Sequence, residues 1–141
     1  MSLTFPKCNK EQMIKLIRIL KSGELPENFV WDFTKVYLTD RENNCVYVCG
    51  LGLLAALTIS KDNLMGMTGQ EMYEHSLNLL GVNDQFQIHD HPFDTNYWNI
   101  TLGIEPGDYE SIIKFVTPQL LGGELVKFYG ITEQELNNVT I

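Results

Sequence analysis

The chain has 141 residues, 44% of them hydrophobic and 20% charged, which is material for one globular domain and too apolar for a disordered segment. The longest apolar run, Leu51 to Ile59, falls far short of the roughly 20 residues that span a bilayer, so neither a transmembrane segment nor a membrane partner is expected. The formal net charge is −8, and from Asp62 to Ile113 nine acids occur with no Lys or Arg, a surface that repels phosphate and argues against a nucleic-acid partner.

The first predicted element is a helix near 10 to 22, capped by Asn9 with Gln12 at the capping-box position and ended by Ser22-Gly23. Met13, Leu16, Ile17 and Leu20 form its apolar stripe, while Glu11, Lys15, Arg18 and Ser22 share the solvent side. After Pro26, Phe29 to Thr39 is rich in aromatic and β-branched residues and reads as a strand. The turn chemistry of Asp40-Arg41-Glu42-Asn43-Asn44 followed by Cys45-Val46-Tyr47-Val48 predicts a β-hairpin. Leu51 to Leu57 contains good helix formers without strand alternation, so a buried helix begins near Cys49 or Gly50.

Ser60 to Met67 reads as a loop, and Thr68-Gly69-Gln70-Glu71 as a capping box opening a helix through Leu80, closed by Gly81. Phe86 to His91 reads as a short extended segment. Thr95 to Leu102 and Asp108 to Thr117 read as short helices. A further helix follows Pro118 and ends at Gly130, weakened by Gly122-Gly123 by about 1 kcal/mol per glycine relative to alanine. Thr132-Glu133-Gln134-Glu135 is a last capping box. The fold expected over residues 1–141 is α+β, a mainly helical single domain of five to seven helices with a β-hairpin or small antiparallel sheet.

Three groups of residues carry possible chemistry. Cys49 lies where a strand meets a helix, and a helix N-terminus favours thiolate and can hold an oxyanion. His89 and His91, then Asn96 and Asn99, follow it in the chain. This order of residue types resembles the papain-like and transglutaminase-like cysteine enzymes and implies Cys49 as nucleophile, His89 or His91 as base and Asn96 or Asn99 as orienter. The helix-like sequence from Tyr97 to Leu102 stands where that family has strands. A cysteine ahead of a Leu/Ala-rich helix is equally the pattern of a packed core.

The second group is His89-Asp90-His91-Pro92-Phe93-Asp94, in which His89, His91 and Asp94 offer an N,N,O set for a divalent metal. Its His-x-His pair resembles metallo-β-lactamase-like hydrolases and cupins, but neither family's next ligands follow, and Asp94 equally suits the N-cap of the next helix. The third group is aromatic: Trp31, Phe33, Tyr37, Phe93, Tyr97 and Trp98 line a pocket, anchor a partner or fill the core, with Tyr97 and Trp98 marking the first place to seek an interface. No phosphate loop or dinucleotide fingerprint occurs, and the would-be recognition helix at the C-terminus carries two glutamates and no Lys or Arg.

With no complete catalytic set, the sequence favours a non-catalytic interaction or regulatory protein that binds a protein partner or itself and needs no cofactor. Three cysteines, an odd number, and an N-terminus without a secretory pattern make the cytosol the expected location.

Overall fold

Residues 10–82 and 90–138 are described by the computed structural model. The apolar stripe predicted for the first helix makes α1 (Lys10–Ser22), in which Ile14 and Ile19 are buried as well as Met13, Leu16, Ile17 and Leu20. So wide a buried face demands neighbours on more than one side. The later helices α7 (Pro118–Tyr129), α2 (Gly50–Ala56) and α8 (Glu133–Asn138) supply them.

The stretch expected as one strand is two, β1 (Phe29–Trp31) and β2 (Tyr37–Asp40). Asp32 interrupts it: its Oδ1 accepts from the Thr34 N–H at 3.0 Å and the Thr34 hydroxyl at 2.7 Å, and its carbonyl accepts from the Lys35 N–H. A side chain that offers the backbone a local partner competes with the sheet ladder. β3 (Cys45–Val48) pairs antiparallel with β2, as the predicted hairpin requires, and Asn44 closes the turn at φ 51°. The same β3 pairs parallel with β1, so the order is β1-β3-β2 and the sheet is mixed rather than purely antiparallel.

Every residue of α2 is buried, and it can sit so deep because two of its residues lack a side chain. A Cβ on Gly52 would lie 1.6 Å from the Val36 carbonyl oxygen, and one on Gly50 would lie 2.6 Å from the Phe93 ring. The Gly50-Leu51-Gly52 run is thus a close-packing device. Between α2 and α4 (Gly69–Leu80) the segment expected as loop holds a single turn, α3 (Lys61–Leu64), and the Leu64 carbonyl accepts from the Tyr37 hydroxyl.

Local caps set the remaining boundaries. Thr68 and Glu71 form the reciprocal box at the start of α4, and Gly81 ends it in the left-handed conformation. Asp94 caps α5 (Thr95–Thr101), Asp108 caps α6 (Tyr109–Phe115), and Thr117 with Pro118 at the first helical position opens α7. Thr132 and Glu135 exchange hydrogen bonds at the start of α8. Asn9, proposed as the cap of α1, and most of the extended segment 86–91 lie outside the described residues. The fold is α+β and mainly helical, with eight helical segments among the described residues, α3 being one more than the sequence reading allowed. No described helix is long and apolar enough to cross a membrane.

Candidate functional site

Cys49 is the N-cap residue of α2, at φ −97° and ψ −170°, and follows directly on β3. It is only 3% exposed. Burial pushes its thiol up to about 11, and the opposing influence of the Gly52 and Leu51 amides at the helix start is too small to reverse that. The thiol is therefore un-ionised at neutral pH.

His91 is buried, and both of its ring nitrogens are engaged. Nδ1 accepts from the Phe93 N–H at 3.0 Å, which leaves the proton on Nε2 to be donated to the Tyr129 hydroxyl at 2.7 Å. The ring also packs against Phe93, Phe128 and Tyr129, with centroids 4.6, 4.7 and 5.5 Å away. Burial drives its pKa down to about 3, so the imidazole is neutral across the physiological range and a poor proton acceptor. Its hydrogen bonds go to Phe93 and Tyr129 rather than to Cys49.

His89 lies outside the described residues. Asn96 and Asn99 are half-buried on α5, and the Asn96 N–H is held by Asp94 Oδ1 at 2.8 Å. Asp94 does the work of an N-cap. Of the proposed metal ligands, His91 has no lone pair to spare and Asp94 is tied to its helix, and no group of three His, Cys, Asp or Glu able to hold a metal ion occurs among the described residues.

Trp98 belongs to the core rather than the surface: it is 0% exposed, its indole N–H donates to the Pro92 carbonyl at 2.7 Å, and its ring meets Phe33 edge-on. Tyr97 is half-buried and donates to Glu124 Oε2 at 2.7 Å, tying α5 to α7. Burial first, then the Glu124 carboxylate, pushes its hydroxyl up to about 12. Exposed apolar side chains follow further along the chain. Ile100, Leu102, Tyr109, Ile113 and Phe115 are 74, 41, 57, 44 and 52% exposed. Sequence periodicity gave no signal of it, because Tyr109, Ile112 and Ile113 have the i, i+3, i+4 spacing of one buried face. Only Ile112 is buried within that helix.

A broad groove of about 750 Å³ opens beside α4, with Asp62, Glu71, Glu74 and His75 among its lining. Its polar groups are largely spoken for. The Thr58 hydroxyl donates to the Ala55 carbonyl and so accepts from His75 Nε2 at 2.6 Å, Glu71 completes the Thr68 capping box, and Glu74 accepts from Gln70. A smaller recess of about 180 Å³ adjoins Cys49 and Asp94. No family model, curated protein or solved structure matches this chain.

Proposed function

We propose that this chain is a non-catalytic interaction module that docks a protein partner on the surface made by the end of α5 and by α6. The observation that carries the reading is the concentration of exposed apolar side chains: of the seven large ones among the described residues, five lie between positions 100 and 115. Exposed apolar side chains concentrated in one stretch of chain are what a binding surface is built from. Glu105, Asp108 and Glu110 flank these side chains against the single cation Lys114, so a partner with basic residues around an apolar centre suits it.

A catalytic reading finds less support, since the thiol at Cys49 is neutral and His91 has both nitrogens committed. Cys45 and Cys49 are free thiols, which suits the reducing cytosol. The test is size-exclusion of lysate from the native host. The wild-type chain elutes in a complex, and the double variant I113S/F115S elutes as free chain with an unchanged melting temperature, because surface substitutions usually cost less than about 0.5 kcal/mol. Identical elution of the two overturns the reading.

A further inference from the structure

The recess beside Cys49 is walled by four aromatic side chains drawn from four parts of the chain. Phe33 comes from the turn between β1 and β2, Tyr73 from α4, Phe93 from the segment before α5, and Tyr109 from the first position of α6. Phe33 and Phe93 are buried, whereas Tyr109 is 57% exposed and borders solvent. Asp94 supplies the one charged side chain of the lining and is 8% exposed. No Lys or Arg is among the lining residues, the nearest in the chain being Lys35 between Thr34 and Val36.

Each feature selects against a class of guest. An anion meets a carboxylate and no cation. A bare metal ion meets one carboxylate where it needs several hard ligands. A neutral apolar guest fits the walls but makes no use of the lining's one charge, since the Asn96 N–H that Asp94 Oδ1 accepts does not neutralise the carboxylate. A weakly hydrated organic cation satisfies both, since aromatic rings attract positive charge and its alkyl groups cover the apolar wall. The volume of about 180 Å³ is slightly above the roughly 150 Å³ of a cavity known to admit benzene, a guest close in size to a trimethylammonium head.

We propose that this recess binds an alkylated ammonium group, held between the rings of Phe33, Tyr73, Phe93 and Tyr109 and neutralised by the Asp94 carboxylate. It is formed within a single chain and does not require a partner on α6. The group has two sources, a free small amine or a methylated lysine on a protein segment.

The test is a titration of the ¹⁵N-labelled full chain with choline, with its neutral isostere 3,3-dimethylbutanol, and with a short peptide carrying trimethyllysine, all at constant ionic strength. Choline is expected to give saturable shifts at the amides of Thr34, Phe93 and Thr95, and the neutral isostere to bind at least tenfold more weakly. Tighter binding of the peptide than of choline assigns the side-chain source, and equal or weaker binding assigns the free amine. Asp94→Asn removes the charge while keeping a residue that caps α5 as well as aspartate does, and is expected to weaken choline at least tenfold with the melting temperature retained. Should that variant unfold, the comparison of choline with its isostere on the wild-type chain decides alone. Equal affinity for the two, or no saturable shift with choline, overturns the proposal.

Discussion

A thiol at a helix start gains from the dipole only if it keeps enough water to ionise. Cys49 has the position and lacks the water: at a pKa of about 11, roughly one thiol in ten thousand is ionised at neutral pH. Cys45, half-buried on β3, is the more accessible of the two. N-ethylmaleimide at pH 7.5, followed by peptide mass mapping, is expected to modify Cys45 at least tenfold faster than Cys49, and preferential labelling of Cys49 would return the cysteine-enzyme reading to favour. His91 yields a second prediction. An unfolded histidine titrates near 6.5 and the folded one near 3, so between those values the unfolded chain binds a proton that the folded chain refuses. Its contribution to stability is complete above pH 6.5 and is lost as the pH falls toward 3. Urea denaturation should show that His91→Gln is less sensitive to acid than wild type, by on the order of 2 kcal/mol between pH 7 and pH 4.5; parallel profiles would contradict the burial argument. The sequence displayed the positions of Cys49 and Asp94 because both are set by local chemistry. It could not display the hydrogen bond from His91 to Tyr129, which joins residues 38 positions apart.

At the scale of elements, glycine separates what helix propensity demands from what packing demands. Gly122 and Gly123 look alike in the sequence, each a weakness in α7. In the fold they differ: a Cβ on Gly122 would meet Leu20 and Lys21 of α1 at 2.9–3.1 Å, whereas one on Gly123 would meet nothing within 4 Å. Gly123→Ala is therefore expected to stabilise the protein by about 0.5–1 kcal/mol. Gly52→Ala, which drives a methyl into the Val36 carbonyl, should cost about 2 kcal/mol or more. Thermal and urea melts of the two variants check the signs, and a neutral Gly52→Ala would mean that α2 packs less closely than described. The helices opened by capping boxes, α4 and α8, were legible because the box lies within four residues of the helix start. The parallel partner of β3 was not, since three residues carry too few alternations to declare a register.

Across the whole molecule, periodicity told which residues are apolar on each helix but not which apolar faces the fold would cover. α1 and α6 both carry apolar stripes, yet α1 is enclosed by α2, α7 and α8 while α6 keeps Tyr109, Ile113 and Phe115 in solvent. That difference depends on how many neighbours the topology assigns to an element, which no short window of sequence contains. Of the pair singled out in the sequence, Tyr97 stays half-buried, whereas Trp98 turns inward to Phe33 and Pro92. The most direct trial of docking on α6 is photo-crosslinking in the native host, with a benzophenone side chain at position 115 and, in a control, at position 42 in the hairpin turn. A discrete adduct of fixed mass from position 115 and none from position 42 is the predicted result. An adduct-free position 115, or the same products from both positions, would contradict an interaction surface at α6.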